Sequence, residues 1–256
     1  MTRIFLLSAW AVLLYMTGWF VAALLRKRND VADIAWGPGF FLAGLVSLFA
    51  AGEYAPRGLL VTGLVAIWAV RLALHIFLRN LGKGEDPRYR KWREEWGRWF
   101  LLRSFLQVFL LQGALLLLVA TPLIFVNASP ASPLSWIDAL GALVWLAGFL
   151  FEAVGDLELS RFLADPANRG KLMTGGLWRY TRHPNYFGEV TLWWGIWLIA
   201  AAVPGGWATV IGPLTITFLI LKVSGIPMLE ERYEGRADFQ EYKRRTSAFF
   251  PLPPRT

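Results

Sequence analysis

Residues 175–204 read GGLWRYTRHPNYFGEVTLWWGIWLIAAAVP, a cluster of polar and aromatic residues that runs directly into an apolar segment. The cluster contains arginines, Asn185 and, at the start of the apolar segment, the carboxylate of Glu189. Polar groups at a membrane boundary are costly when they have no partner, so such a cluster indicates a functional site. The stretch therefore predicts a membrane helix that begins at one wall of a cofactor site.

The composition indicates the class of protein. Hydrophobic residues make up 56% of the chain, charged residues only 17%, and there are 14 tryptophans. A chain with so much apolar surface cannot bury it in one soluble core, which predicts an integral membrane protein. Because the sequence has no cysteine, disulfides, thiolate metal sites and a cysteine nucleophile are excluded. The two histidines, His75 and His183, are too few for a histidine-rich metal centre, and we expect no metal.

The apolar runs predict an all-α protein with seven transmembrane helices. A helix needs roughly 20 apolar residues to cross about 30 Å of hydrocarbon. Candidate runs lie near residues 4–25, 31–51, 58–78, 101–123, 136–158, 187–204 and 207–222. Because the chain shows no internal repeat, low-complexity tract or linker, we expect a single membrane domain over residues 1–256.

The distribution of basic residues predicts the orientation. Of the 26 lysines and arginines, all but Arg3, Arg57 and Arg71 lie in segments 26–28, 79–103, 161–182 and 222–255. With seven spans, these four segments fall on one side of the membrane, and basic loops favour the cytoplasm. The amino terminus is then outside and the carboxyl terminus is cytoplasmic.

Several ionisable residues lie inside the apolar runs or at their ends. Glu152 and Asp156 are four residues apart and share a helix face, as do Asn185 and Glu189. The others are Asp30 and Asp33 at the start of the second span and Arg71 inside the third. A purely structural pairing of Arg71 with one carboxylate is one interpretation. Together, these groups predict an internal polar cavity that opens to the cytoplasm.

The loops 79–98 and 161–186 mix cations with amides, acids and aromatic rings. Nucleotide recognition uses such a mixture, since arginine binds phosphate, acceptors bind ribose hydroxyls and aromatic rings contact flat rings. A second explanation accounts for the positive charge of these loops without a nucleotide: basic loops set the membrane topology and contact lipid headgroups. The candidate cofactor-binding residues are Arg88, Arg161, Tyr180, Arg182, His183 and Tyr186 in these loops, and Arg232, Tyr233 and Tyr242 in a tail spaced as one amphipathic helix.

Common nucleotide-binding and catalytic motifs are absent from the sequence. There is no Gly-x-Gly-x-x-Gly fingerprint, Walker loop, Gly-x-Ser-x-Gly elbow or His-Glu-x-x-His pair. A Rossmann domain is therefore excluded. Any nucleotide has to be held by helix ends and loops.

Two stretches carry a resemblance to a known family. Gly175-Gly176-Leu177 followed by RHPNYFGE at 182–189, and the tail EYKRRTSAFFP at 241–251, resemble the steroid 5α-reductase family and particularly its bacterial branch. Residues 33–37 and 84–89 also resemble that branch. The resemblance implies a seven-helix, NADPH-dependent reductase of a 3-oxo-Δ4 steroid or similar enone in a bacterial inner membrane. Its partners would be the lipid bilayer and a hydrophobic enone, with no nucleic acid.

The resemblance also implies site residues. The cofactor motif Asn-x-x-Gly-Glu of the family falls on Asn185, Gly188 and Glu189, and the acidic position in the preceding helix falls on Asp156. Three further positions are Glu152, where animal members carry an amide, Lys171, where they carry an arginine, and Arg71, which matches an arginine of the third helix.

The same resemblance places the catalytic acid at Asp33, one methylene shorter than the glutamate of the family. The family's partner tyrosine has no counterpart near Ile67–Val70, and the expected catalytic residues are Asp33 and Tyr89, with His183 and Tyr186 as other candidate proton donors. In the implied reaction, hydride adds to the β-carbon of an enone while an acid stabilises the charge that develops on the carbonyl oxygen.

Two other functions fit parts of the sequence. Membrane methyltransferases of the isoprenylcysteine or phospholipid type, which use S-adenosylmethionine, also show Arg-His-Pro-x-Tyr-x-Gly followed by paired glutamates such as Glu230-Glu231 and a later tyrosine. The length of the chain and the presence of Asp33, Arg71 and Asn185 favour the reductase. A non-enzymatic sterol- or lipid-binding protein would leave the charged cluster without a role.

Overall fold

The computed structural model describes residues 1–255. Apart from one isolated bridge between Thr181 and Ser247, these residues form helices and connecting loops without β-strands, so the prediction of an all-α fold is confirmed. In chain order the α-helices are α1 (Thr2–Arg26), α2 (Val31–Ala51), α3 (Pro56–Asn80), α4 (Pro87–Trp96), α5 (Phe100–Arg103), α6 (Leu111–Val119), α7 (Thr121–Ala128), α8 (Trp136–Ala164), α9 (Pro184–Ala201), α10 (Ile211–Phe218), α11 (Ile226–Glu231) and α12 (Ala237–Arg245).

Two long helical segments are built from several pieces. Segment 87–119 joins α4, α5 and α6 through a 3₁₀ turn at Gly97–Trp99 and a π-helical stretch at Ser104–Leu110. Segment 206–231 contains α10 and α11, with a second π-helical stretch at Leu219–Val223. Such π-helical turns are rare in proteins, and those that occur are often at functional sites.

Six helices in the described residues are long and apolar enough to cross a membrane: α1, α2, α3, segment 87–119, α8 and segment 206–231. This number supports an integral membrane protein. The remaining predicted span, near 187–204, coincides with α9, which is shorter at 18 residues and carries Asn185 and Glu189 in its first turns.

Helices α8 and α9 approach each other closely through glycines. A Cβ atom at Gly148 would lie 2.5 Å from the backbone nitrogen of Leu192 and 2.6 Å from the carbonyl oxygen of Gly188. One at Gly195 would lie 2.5 Å from the backbone nitrogen of Trp145. Small residues at helix contacts let backbones approach in this way. The contact brings the acidic face of α8 against the polar start of α9.

The four basic segments lie at the same end of the bundle. Contacts between backbone or side-chain groups connect them: Arg28 Nη1 to the Lys83 carbonyl at 2.6 Å, Arg232 Nη2 to Asp86 Oδ1 at 3.8 Å, and Arg236 Nη2 to the Gly170 carbonyl at 2.7 Å. We refer to this end as the basic end.

The carboxyl-terminal tail differs from its prediction. A single amphipathic helix is expected from the spacing of Glu230, Arg232 and Tyr242, but the structure has two short helices, α11 and α12, with a turn between them. Gly235 lies in this turn, and glycine disfavours helix continuation. Residues from the two ends of the tail therefore do not share one helical face.

A buried ion pair joins α3 and α8 at the opposite end of the bundle. Arg57 donates from Nε and Nη2 to the two carboxylate oxygens of Asp138, at 2.7 and 2.8 Å. Asp138 also accepts the backbone N–H of Ser135, which caps α8. Both charged side chains are buried, so each depends on the other to offset its lost hydration.

An Arg57→Met variant is expected to lose about 3 kcal/mol of unfolding free energy, because Asp138 stays buried without its cation. Thermal and denaturant unfolding in detergent measure this loss. Arg3→Met, at an exposed position on α1, is the control and should leave the melting temperature unchanged. Equal melting temperatures for the wild type and Arg57→Met would show that the pair contributes no stability.

Candidate active site

A cavity of about 820 Å³ lies at the basic end of the bundle, with walls from α2, α3, segment 87–119, α8, α9 and segment 206–231. The ionisable residues that line it are Asp30, Asp33, His75, Arg79, Lys83, Glu85, Asp86, Arg88, Tyr89, Glu152, Asp156, His183, Tyr186, Glu189 and Arg232. Its size is within the range of small-molecule sites, about 300–1,000 Å³. An internal polar cavity is also what the ionisable residues inside the apolar runs of the sequence predict.

Asp33 and Tyr89 meet in this cavity. Asp33 lies in the first turn of α2 and Tyr89 in the first turn of α4, and the Tyr89 hydroxyl donates to Asp33 Oδ1 at 2.7 Å. Arg88 Nη2 donates to Asp33 Oδ2 at 3.0 Å. A carboxylate, a phenol and a guanidinium therefore form one hydrogen-bonded group on the cavity wall.

The start of α4 is fixed by Asp86. Its carboxylate accepts the backbone N–H of Arg88 at 2.9 Å, which is the usual role of an N-cap aspartate, and the Arg88 Nε at 3.1 Å. Burial raises the pKa of Asp86, but these hydrogen bonds and the Arg88 charge outweigh burial and hold the pKa below its ordinary value. Asp86 therefore stays ionised and keeps Arg88 oriented towards Asp33.

A second set of contacts attaches α4 to the turn before α2. Glu85 accepts the backbone N–H of Asn29 at 2.8 Å and both Nε and Nη2 of Arg93, at 3.1 and 2.8 Å. Asp30 Oδ2 accepts the backbone N–H of Asp86 at 3.2 Å. Residues 29–30 immediately precede α2, so these contacts set the distance between Asp33 and Tyr89.

The opposite wall is formed by α3, α8 and α9. Arg71 donates to both carboxylates of α8, to Asp156 Oδ2 at 2.6 Å and to Glu152 Oε1. Asn185 Nδ2 donates to Asp156 Oδ1 at 3.1 Å, and Trp68 Nε1 donates to Glu152 Oε2 at 2.9 Å. The structural pairing of Arg71 is thus present, and it orders the two carboxylates beside Asn185.

Glu189 lies one turn further along α9 and accepts only one hydrogen bond from the described residues. Its Oε1 accepts from Trp36 Nε1 at 3.3 Å. Glu189 and Trp36 both line the cavity. The remaining acceptor capacity of Glu189 is therefore available to a ligand.

Arg182 and His183 share the carboxylate of Glu230. Arg182 Nε donates to Glu230 Oε1 at 2.8 Å, and His183 Nε2 lies 3.0 Å from the same oxygen. Burial lowers the pKa of His183 below its ordinary value, and the hydrogen bond with Glu230 opposes this only in part. His183 stacks on Tyr186, with ring centroids 5.5 Å apart, and both line the cavity. Arg182 connects α9 to the tail and is not part of the cavity wall.

Six other predicted cofactor residues, among them Arg71, lie outside the cavity wall. Arg161, Lys171 and Tyr180 are exposed, while Tyr233 packs on Phe239. Tyr242 donates its hydroxyl to the Trp178 carbonyl and so fixes the loop before α9. A cofactor role for these residues stays a prediction.

Several residues of the cavity wall were not predicted as site residues, among them Trp36, His75, Arg79 and Lys83. Trp36 is three residues after Asp33 and His75 is four after Arg71, so helical spacing alone places each near a predicted residue. Trp68, on the neighbouring span, is buried against Phe40 and Trp193 and does not line the cavity.

The fold and this site define an all-α integral membrane protein with a polar cavity at one end of its helices. The chain belongs to the family described as "Protein of unknown function (DUF1295)", which matches residues 19–246 and includes steroid 5α-reductase-like membrane proteins.

A shorter match connects the chain to a protein named "Probable O-methyltransferase ustE" from Ustilaginoidea virens. The two are 38% identical over 55 residues, which are 22% of this chain and 19% of that protein. The chain thus covers about a fifth of the length of this relative. No solved structure matches the chain.

Proposed function

We propose that the protein is an NADPH-dependent reductase that saturates the carbon–carbon double bond of a lipid enone such as a 3-oxo-Δ4 steroid. The observation that carries this proposal is the hydrogen bond between Asp33 and Tyr89 in the cavity that also contains Asn185 and Glu189. A phenol held by a carboxylate is a suitable donor for a ligand carbonyl. Membership of a family that includes steroid 5α-reductase-like proteins supports the same function.

The groups that line the cavity support NADPH as the cofactor. Arg79 and Lys83 line it and form no ion pair with the described residues, which leaves both charges available to phosphates. Arg232 lines the same region, 3.8 Å from Asp86. Asn185 and Glu189 provide the amide and the free acceptor capacity for ribose hydroxyls or a carboxamide. Such a donor and acceptor set fits a phosphate-bearing dinucleotide.

Bound NADPH would supply hydride to the β-carbon of the enone. Tyr89 would donate a hydrogen bond from its hydroxyl to the carbonyl oxygen. Its own oxygen would then accept a hydrogen bond from a protonated Asp33. Arg88 holds Asp33 in place throughout. This arrangement stabilises negative charge on the carbonyl oxygen, and a proton then reaches the α-carbon to complete the saturated ketone.

We propose a topology in which α9 is the seventh membrane crossing. Its close contact with α8 along the glycines supports this placement. The protein then lies in a bacterial inner membrane with its amino terminus outside. The basic end, which contains the cavity, faces the cytoplasm. The gathering of the four basic segments at one end supports this orientation.

A methyltransferase that uses S-adenosylmethionine is the second candidate. It is favoured by the match to a protein named as a probable O-methyltransferase. The cavity carboxylates Asp33, Asp156 and Glu189 are also compatible with a cationic sulfonium.

Ligand-dependent thermal stability separates the two candidates. A ligand that binds only the folded protein stabilises it, by about 2.7 kcal/mol at a hundred times its dissociation constant. We expect NADPH to raise the melting temperature of the detergent-purified protein, and S-adenosylmethionine to leave it unchanged. A shift with S-adenosylmethionine alone would replace the reductase by the methyltransferase.

Glu189→Ala and Asn185→Ala are each expected to weaken NADPH binding by about 10-fold or more, since hydrogen bonds to charged groups contribute roughly 1.5–3 kcal/mol. Titration of NADPH against each purified variant measures the change. Glu53→Ala, at an exposed acid between α2 and α3, is the control and should keep wild-type affinity. Wild-type affinity in Glu189→Ala, with an unchanged melting temperature, would remove Glu189 from the cofactor site.

A further inference from the structure

Gln112 is a polar side chain among apolar ones on the cavity wall. It is the second residue of α6, and its neighbours on the same wall, Val108, Leu111 and Leu115, are apolar. Its Oε1 atom is buried and accepts no hydrogen bond from residues 1–255. A buried acceptor without a donor is rare, because it has lost the hydrogen bond that it would make to water. This oxygen is therefore a place where a ligand can donate.

The packing of α6 fixes the position of this amide. Leu116 lies four residues after Gln112 on the same helix face, and it occupies the space where a side chain on Gly39 of α2 would begin. That face of α6 is therefore turned towards α2, the helix whose first turn carries Asp33. A Cβ atom on Gly113 would lie 3.1 Å from a side-chain atom of α1. Contacts with two helices thus hold Gln112 in place beside the cavity.

The Gln112 amide lies beside the Tyr89 hydroxyl. Tyr89 is buried, and its hydroxyl donates to Asp33 Oδ1 at 2.7 Å, while Arg88 donates to the other oxygen of Asp33. Two groups of different kind therefore meet at this point: a phenol that can donate to a ligand, and an amide oxygen that can accept from one. Because they lie side by side, a ligand that uses both carries an acceptor and a donor on neighbouring atoms.

We infer that Gln112 is a specificity-determining residue, whose Oε1 accepts a hydrogen bond from a hydroxyl or N–H group of the ligand next to the carbonyl that Tyr89 contacts. A ligand with such a donor gives Gln112 Oε1 the hydrogen bond that it lacks, whereas a C–H group at the same place leaves the acceptor buried and unpaired. Only the statement that the carbonyl belongs to an enone rests on the proposed function. The inference narrows the substrate to lipids whose polar end has a donor beside a carbonyl.

Two steroids that differ by one hydroxyl test this role. Androst-4-ene-3,17-dione has a 3-oxo-Δ4 end, and 4-hydroxyandrost-4-ene-3,17-dione has a hydroxyl on the carbon next to the 3-carbonyl. Their dissociation constants are measured by equilibrium dialysis with the detergent-purified wild type, Gln112→Met and Gln107→Met. Methionine has about the length of glutamine without its amide. Gln107 is the matched control, because it is an exposed amide of the same segment that also lines the cavity.

We expect the wild type and Gln107→Met to bind the hydroxylated steroid about fivefold more tightly than the other, the ratio for one added hydrogen bond. Gln112→Met should bind the two steroids equally. Its melting temperature should equal or exceed that of the wild type, since an apolar group replaces an unpaired acceptor. A hydroxyl preference that persists in Gln112→Met, or equal affinities in the wild type, would overturn the role of Gln112.

NADPH-dependent reduction of androst-4-ene-3,17-dione is followed in parallel, so that the two proposals fail separately. A hydroxyl preference that only Gln112→Met loses, without reduction, would keep the role of Gln112 and reject the reductase. Reduction without a hydroxyl preference in the wild type would do the reverse.

Discussion

Tyr89→Phe is expected to lower enone turnover by about 10²-fold or more, the usual contribution of a positioned proton donor. The phenyl ring keeps the buried packing of Tyr89 against Trp92, whose ring centroid is 5.3 Å away. The substitution removes only the hydroxyl that lies 2.7 Å from Asp33. NADPH affinity should stay within about twofold, because Asn185 and Glu189 on the opposite wall are unchanged.

Two variants accompany this measurement. Asp33→Asn retains the size of the side chain but alters its pairing with Arg88 and Tyr89, and we expect a similar fall in turnover with NADPH affinity preserved. Tyr54→Phe removes a hydroxyl from an exposed tyrosine between α2 and α3, outside the cavity, and should keep wild-type turnover. Wild-type turnover in both Tyr89→Phe and Asp33→Asn would exclude the pair from the chemistry.

The pairing of Asp33 with Tyr89 illustrates what sequence spacing cannot supply. Both residues are identified in the sequence by their chemistry and by a family resemblance. Their contact joins positions 56 residues apart, and it depends on how residues 83–93 attach to the turn before α2. No helical or strand period relates such positions, so the distance between them is a property of tertiary structure.

More of the wall formed by α8 and α9 could be predicted from the sequence. Glu152 with Asp156, and Asn185 with Glu189, are each four residues apart, and helical geometry places each pair on one face. The meeting of the two faces follows from the glycines of both helices, which the sequence shows as residue types without showing that they oppose each other.

Several predicted cofactor residues in the loops and the tail do not line the cavity, because residue type does not determine what a side chain contacts. Arg182 has the guanidinium that suits a phosphate, yet it is buried against Glu230. Hydropathy likewise predicts spans near residues 101–123 and 207–222, which overlap segments 87–119 and 206–231, but it carries no information on hydrogen-bond register. The π-helical stretches inside them were therefore not predicted.

Gly148→Val is expected to prevent folding or to remove more than about 4 kcal/mol of stability, a loss reserved for severe backbone or core disruption. The added Cβ would meet the Leu192 nitrogen at 2.5 Å and the Gly188 carbonyl oxygen at 2.6 Å. Both atoms belong to the backbone of α9, which cannot rotate away as a flexible side chain does. The two helices would have to separate along their length.

Gly63→Val is the matched control, because Gly63 also lies inside a membrane helix but has no atom within 4 Å of an added Cβ. Its melting temperature should equal or exceed that of the wild type, since glycine disfavours helices by about 1 kcal/mol. If Gly148→Val folds with altered helix separation, NADPH binding should still be lost, since the close approach of α8 and α9 brings Asn185 Nδ2 within 3.1 Å of Asp156 Oδ1. Wild-type stability together with wild-type NADPH affinity in Gly148→Val would contradict the close approach of α8 and α9, and with it the geometry of the cofactor wall.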